Sequence, residues 1–330
     1  MSRSPREFVA SAPGKVNLHL GVGNARSDGY HELVTVFQAV ERRERVSIVV
    51  EDETQRVQSG SVVASMQTRF HVDVPDEDID TPRNLTWRAI DAVVDAVRAR
   101  SGAQELALPE AKLVVDKYVF VAGGMAGGSA DAAAGLVAAN AYVEHYCGER
   151  LSTEELHDLA VGLGADVPFA LHGHTALGTG RGDTLVEVLG RGTYWWVFCN
   201  PKVGISTGKA FETLDDLRHD NPALVPHLDT AALSQALMTG APRELAKHLH
   251  NDLEAAAVTM RPRIAALIRR IEEESDLVAR AIVSGSGPTI AALCFDEDAA
   301  RALETVLCDN VEGVEVFCTS GPSAGAQLEA

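Results

Sequence analysis

Residues 122–131 read Ala122-Gly123-Gly124-Met125-Ala126-Gly127-Gly128-Ser129-Ala130-Asp131, and an alanine-rich stretch to Tyr146 follows at once. Glycines at this density let the backbone turn without Cβ clashes and bring successive N–H groups close to a ligand. A helix opening on the loop points its positive dipole end into it. Such a segment is suited to cradle phosphate. It is not a Walker loop, because no Lys-Ser or Lys-Thr follows the last glycine, and it lacks the G-x-G-x-x-G spacing of a dinucleotide site. The competing reading is a flexible turn that caps a buried helix. A strand ahead of it, Lys112 to Asp116, and an amphipathic helix after it favour the cradle.

Composition bounds the rest. A chain of 330 residues with 46% hydrophobic residues is globular and long enough for two domains. Its formal net charge of -18 repels nucleic acid and anionic lipid, so a small anionic ligand would need a local positive pocket. Five cysteines (Cys147, Cys199, Cys294, Cys308, Cys318) show no metal-binding spacing and point to free thiols in a reducing compartment. The N-terminus lacks the apolar core of a signal peptide, and no apolar run reaches spanning length, so a cytoplasmic location is expected.

Hydrophobic periodicity places strands at Val16 to Val22, Leu33 to Val40, Val46 to Glu51, Phe70 to Val74 and Lys112 to Asp116, with a helix at Leu85 to Arg100. Asp52 to Thr68 reads as a polar hairpin loop. Ser152-x-x-Glu155 has the form of a capping box, and Gly164 suits a left-handed helix stop. After the strand Tyr194 to Cys199, helices are expected at Ala231 to Met238, Arg243 to Val258 and Ile264 to Glu274. The pattern closes with strands Ala281 to Val283 and Ile290 to Phe295, a helix Glu297 to Leu307 and a strand Val314 to Cys318. This divides the chain into an N-terminal domain, 1–190, a C-terminal α+β domain, 191–320, and a flexible tail, 321–330.

Three further places hold reactive or conformationally special residues. In Ala12-Pro13-Gly14-Lys15-Val16-Asn17-Leu18-His19-Leu20, the polar Lys15, Asn17 and His19 alternate with apolar residues and share one strand face. That face could equally be solvent-exposed. In Gly164-Ala165-Asp166-Val167-Pro168-Phe169, Asp166 could simply cap a short helix with Pro168 in its first turn. Ser284-Gly285-Ser286-Gly287-Pro288 can form an anion-binding nest or a bare tight turn. The basic cluster Arg42, Arg43, Arg45 reads as a solvated edge.

In this order the segments resemble the GHMP small-molecule kinase superfamily, with its Pro-x-Lys strand, central glycine loop and C-terminal Gly-Ser-Gly turn. Pro13 to Leu18, Asp28-Gly29-Tyr30-His31-Glu32-Leu33 and Gly164 to Phe169 are further similar to the branch that acts on a cytidine diphosphate methylerythritol in non-mevalonate isoprenoid biosynthesis. The resemblance implies an α+β, two-domain fold. Its N-terminal domain would be like the second domain of ribosomal protein S5, with a left-handed βαβ crossover, and its C-terminal domain would be ferredoxin-like. It implies transfer of the γ-phosphoryl group of ATP, with Mg2+ entering alongside ATP and no dedicated protein metal site. Partners would be the small-molecule substrate, no nucleic acid and no membrane, in a monomer or homodimer.

By similarity Asp166 would deprotonate the acceptor hydroxyl and Lys15 would hold that carboxylate ionised and stabilise the transferring group. Phe120, Val121, Ala122, Gly123, Gly124, Met125, Ala126, Gly127, Gly128, Ser129 and Ala130 match the ATP phosphate loop. Asn84, Lys117, Gly285, Ser286 and Gly287 complete the nucleotide site. Asn17, Tyr30, His31, Thr207 and Phe211 match substrate positions, with Tyr30 and Phe211 sandwiching cytosine. The chain departs from the pattern at Phe120, where proline is usual, and at Ala130, where a hydroxyl residue is usual; both bear on nucleotide affinity. The alternatives are another GHMP kinase, of homoserine or mevalonate type, and a catalytically silent nucleotide-binding regulator.

Overall fold

The computed structural model describes residues 5–25, 31–74, 78–100 and 106–329. Its first half runs β1 (Arg6–Ala25), β2 (His31–Val50), β3 (Arg56–Val57), β4 (Val63–Phe70), α1 (Leu85–Arg100), β5 (Leu108–Pro109), β6 (Ala111–Lys117), α2 (Gly127–Cys147), α3 (Thr153–Leu163), α4 (Val167–His172), β7 (Thr175–Gly180) and β8 (Thr184–Glu187). The second half runs β9 (Tyr194–Asn200), α5 (Thr207–Asp220), α6 (Ala231–Leu237), α7 (Pro242–Ala246), β10 (His250–Asn251), α8 (Leu253–Met260), α9 (Pro262–Glu272), β11 (Val278–Val283), β12 (Ile290–Cys294), α10 (Glu297–Asn310), β13 (Glu315–Gly321) and β14 (Gln327–Leu328).

Two sheets organise the molecule. The larger has the order β10-β1-β2-β6-β4, with β14 on β1 and the β7–β8 hairpin on β2. Its spine is the antiparallel β1–β2 pair, whose register shifts between Pro13 and Lys15, between Asn17 and His19, and between Val22 and Ala25. Each shift turns the strand locally, which re-aims side chains beside the cleft. β2 is continuous where its pattern suggests two strands. The polar stretch 41–45 lies where β2 changes partner, from β7 (Leu33 to Gln38) to β6 (Arg45 to Val49).

β4 and β6 are parallel and joined through α1. The pattern reads 52–68 as a loop and 70–74 as a strand; the structure places β3 and most of β4 inside the first stretch and leaves 71–74 outside any strand. From Ser65 on, β4 alternates between more and less exposed residues, and among the described residues it has no partner beyond β6, so parallel pairing rather than hydrophobicity defines it. Helix α2 is buried on most sides and is not amphipathic. Its alanines and Gly135, where a Cβ would lie 3.0 Å from Thr86 Cγ2, let α1 and the sheet approach closely.

The smaller sheet is antiparallel with the order β11-β12-β9-β13, the split β-α-β-β-α-β arrangement of ferredoxin-like folds. Val16 and Leu18 from one sheet and Trp196, Phe198 and Phe317 from the other belong to one buried cluster, so the two sheets share a core. The helix expected over Arg243 to Val258 is broken. His250 and Asn251 leave it to pair with His19 and Leu20, and the Asn251 amide donates to the carbonyls of Val283 and Gly285, both at 2.7 Å.

The segment 321–329 is docked, contrary to the expected fraying. Arg43 makes five hydrogen bonds, to Ser11 Oγ and O, Ser323 Oγ, and the carbonyls of Ala324 and Gly325. Arg45 binds Glu329 at 2.8 Å, and β14 pairs with β1. Arg43 and Arg45 are therefore a clamp and not a solvated edge, while Arg42 donates to the Tyr118 carbonyl at 2.8 Å. Among the described residues no helix is long and apolar enough to cross a membrane. Arg43→Ala should cost about 2 kcal/mol, since several charge-assisted bonds go while water replaces part of them. Hydrogen exchange should then speed up selectively at residues 323–329, and unchanged protection there would contradict the clamp.

Candidate active site

Lys15 opens the site. The register shift after Pro13 turns its side chain into the interior, where the residue is 5% exposed. Its Nζ donates to Asn17 Oδ1 at 2.6 Å and to the Gly124 carbonyl at 2.8 Å. Asn17 Nδ2 donates to Thr35 Oγ1 (2.8 Å), and Thr35 donates to the His19 carbonyl (2.7 Å). This relay sets the Asn17 amide with its oxygen toward the ammonium. Burial pulls the Lys15 pKa below 10.5, and the Asp166 carboxylate pulls it back up. The polar face of β1 is thus internal: Lys15, Asn17 and His19 are all buried. The His19 side chain stands apart from this relay, its Nε2 on the His227 carbonyl at 2.8 Å.

The glycine loop and the Gly285 turn are pressed together. Gly124 has φ +78°, and a Cβ there would fall 2.1 Å from the Ser284 carbonyl oxygen, so only glycine fits. Ser284 Oγ donates to the Gly124 carbonyl at 3.1 Å, and Lys15 N–H donates to the Met125 carbonyl at 3.1 Å. Helix α2 begins without a side-chain cap, behind Ala126 at φ 57°. Gly128 has open space where a side chain would stand. An uncapped helix N-terminus facing a cleft is a ready anion site.

Asp166 precedes α4, whose first turn holds Pro168, as expected, but its side chain makes no cap hydrogen bond. Gly164, the C-cap of α3, is extended (φ 173°) and not left-handed, and the predicted capping box at Ser152 and Glu155 is present. The extended path through Gly164 leads the chain directly into Asp166. Lys15 and Asp166 line one cleft of about 470 Å3, together with Gly123, Gly124, Gly127, Gly128, Ser129, Gly285 and Ser286.

Asn17, Thr207 and Phe211 line the same cleft, and Thr207 Oγ1 lies 3.0 Å from Ser286 Oγ. His31 stacks on Phe211 (5.1 Å between ring centres) and its Nε2 meets both oxygens of Asp215 at 2.9 and 3.0 Å. Tyr30 lies outside the described residues. Sequence reading misses Arg181, a cation on the cleft wall between Gly180 and Gly182, and also Thr35 and Phe37. The Gly-Arg-Gly spacing of a tight turn is the available signal for Arg181; nothing local marks the other two.

A second cleft of about 690 Å3 adjoins the first through Leu85, Ala122 and Gly128, and holds Val121, Asn84 and Lys117. Both expected polar contacts there are already engaged. Asn84 caps α1 by accepting the Thr86 N–H at 2.9 Å, and the Lys117 ammonium lies between Glu44 (2.5 Å) and Asp131 (2.6 Å). Phe120, Met125 and Ala130 face the core, with Phe120 packed on Phe317 at 4.7 Å. An aromatic ring anchored there takes up the role of fixing the loop's entry. Gly287 closes the 284–287 turn behind the cleft wall. Among the described residues no group of three or more His, Cys, Asp or Glu side chains could hold a metal ion.

Comparison with known proteins agrees with this geometry. The GHMP kinases N terminal domain model matches residues 84–174 and the GHMP kinases C terminal model matches 233–313. A 4-diphosphocytidyl-2-C-methyl-D-erythritol kinase of Corynebacterium efficiens is 44% identical, covering 96% of this chain and 95% of its own. One from Nocardia farcinica is 43% identical, covering 99% and 98%. The crystal structure of a 4-(cytidine 5'-diphospho)-2C-methyl-D-erythritol kinase superposes with a TM-score of 0.69 at 26% identity, over 97% of this chain and 100% of that one. With the lysine, the carboxylate and the glycine loop on one cleft and relatives this similar end to end, the chain belongs to the 4-diphosphocytidyl-2-C-methyl-D-erythritol kinase family of the GHMP kinases.

Proposed function

We propose that the chain transfers the γ-phosphoryl group of ATP to the 2-hydroxyl of 4-diphosphocytidyl-2-C-methyl-D-erythritol, releasing the 2-phosphate ester and ADP. The observation that carries this reading is the placement of Lys15 and Asp166 on the cleft that the glycine loop floors. Phosphoryl transfer asks little covalent chemistry of a protein; it asks for positioned oxygens and compensated charge. Asp166, with no capping duty, accepts the hydroxyl proton as the new O–P bond forms and the bond to the leaving ADP oxygen breaks.

Lys15 works on the same step from the other side. Its ammonium is held by Asn17 and the Gly124 carbonyl and needs no reorganisation when charge builds on the transferring group. The N–H groups at the start of α2 supply the complementary field for the phosphates. A magnesium ion would travel with the nucleotide phosphates and shield their charge.

Phe211 and Thr207 form the far side of the cleft, with His31 packed behind Phe211, and suit the cytidine end of the acceptor. Phe211 offers a ring to stack on, and Asp215 holds the His31 ring against it. ATP occupies the loop side, reaching toward the second cleft. The two substrates thus meet at Lys15 and Asp166.

Asp166→Asn should fold normally and lose about 100- to 10,000-fold in kcat, the usual worth of a general base. A folded variant with near-normal kcat in an ADP-release assay removes Asp166 from the chemistry. Phe211→Ala should raise KM for the cytidyl substrate roughly 5- to 150-fold, the equivalent of about 1–3 kcal/mol of stacking, and leave KM for ATP in place. Equal changes in both KM values would place Phe211 in the scaffold rather than in substrate binding.

A further inference from the structure

Directly beneath the glycine loop, three charged side chains are withdrawn from solvent. Glu44 of β2, Lys117 of β6 and Asp131 of α2 have side chains 0%, 4% and 6% exposed. Lys117 Nζ lies 2.5 Å from Glu44 Oε1 and 2.6 Å from Asp131 Oδ2. Glu44 Oε2 accepts the Tyr118 N–H at 2.7 Å, while Asp131 Oδ1 is buried without a hydrogen-bond partner. The group touches the start of the cradle. A Cβ added to Gly127, the first residue of α2, would lie 2.9 Å from Glu44 Oε1 and 3.2 Å from Lys117 Nζ. Lys117 and Asp131 also line the second cleft.

Two carboxylates on one ammonium leave a net charge of -1 when both are ionised. A buried net charge of that sign below a triphosphate site opposes the ligand. One shared proton brings the cluster to zero. We propose that Glu44 and Asp131 are positioning residues for the nucleotide: they hold one proton between them at neutral pH, and its loss at alkaline pH weakens ATP binding through the phosphate loop.

The electrostatics run the same way. Burial first, and the Asp131 charge second, push the Glu44 carboxyl up to about 8, against the pull of Lys117. Asp131 is raised as well, chiefly by burial. Burial lowers the Lys117 pKa, but the charges and hydrogen bonds of Asp131 and Glu44 together outweigh it and raise it, so the ammonium stays charged throughout this range. Arg42 is also coupled to Glu44, is shared with Glu304 and Glu315, and does not titrate here. Loss of the shared proton takes the cluster from neutral to negative.

The proposal rests on the nucleotide site described above and not on the identity of the acceptor. Calorimetric titration of the intact chain with ATP near pH 8, in buffers of different ionisation enthalpy, should show proton uptake on binding. Lys15 can also take up a proton beside phosphate, so the uptake is compared in Lys15→Met, where it should persist, and in Glu44→Gln or Asp131→Asn, where it should vanish. KM for ATP should rise roughly tenfold between pH 7 and 9 in the unaltered chain, about what one added charge at such range produces. In either amide variant that rise should flatten, and KM for the acceptor should not follow it. Two carboxyl variants guard against one failing to fold, and the buffer comparison on the unaltered chain needs neither. Binding without proton uptake, or an uptake lost in Lys15→Met alone, overturns this proposal and leaves the kinase reading standing. Absence of ATP binding overturns both.

Discussion

The contact on which the site depends is the close approach of two backbone turns, Gly124 on one domain and Ser284-Gly285 on the other. Gly285 is also in the left-handed region, at φ +57°, and a Cβ on it would lie 2.9 Å from the Gly124 carbonyl oxygen and 3.1 Å from Lys15 Nζ. The Gly124 carbonyl therefore accepts from Lys15 and from Ser284 at once. Asn251 stabilises the same turn from behind by donating to Gly285 and Val283. Side chains larger than hydrogen at either glycine would separate the domains and leave the lysine without one of its acceptors.

Burying an ammonium is costly unless its protons are matched. Here two acceptors match them, an amide on the same strand and a carbonyl of the loop, and the Asp166 carboxylate adds a favourable charge from beside α4. The Thr35 hydroxyl fixes the amide, so the lysine's surroundings are set before any ligand arrives. A desolvated, pre-oriented cation acts on developing charge more strongly than a solvated one. Asp166, at the start of α4, makes no cap hydrogen bond, so its carboxylate is not committed to backbone N–H groups.

Features whose causes are local were legible in the residues. The glycine loop, the limits of α1 at Leu85 and Arg100, and the capping box at Ser152 each depend on neighbours a few positions away. The alternation of Lys15, Asn17 and His19 marked a special strand face, though burial rather than exposure is its cause. Features made by distant partners were not legible. β4 is a polar edge strand that exists through parallel pairing with β6, and β10 interrupts a helical pattern to reach β1. The engagement of Lys117 by Glu44 and Asp131 brings together three elements that no spacing rule connects. The Phe120 ring could be seen to lack proline's fixed φ, but its packing on Phe317 of the other sheet could not.

The return of β14 to β1 has a consequence for biosynthesis. The edge of the first sheet at Ala10 and Ser11 is closed by Gln327 and Leu328, and Arg43 is tied to Gly325 across 282 positions. An emerging nascent chain can form the β1–β2 ribbon early, yet it cannot seal that edge until the whole C-terminal domain has been translated. The strand that carries Lys15 is thus finished only once residues through Leu328 have been made, which couples closure of that edge to synthesis of the opposing half of the molecule.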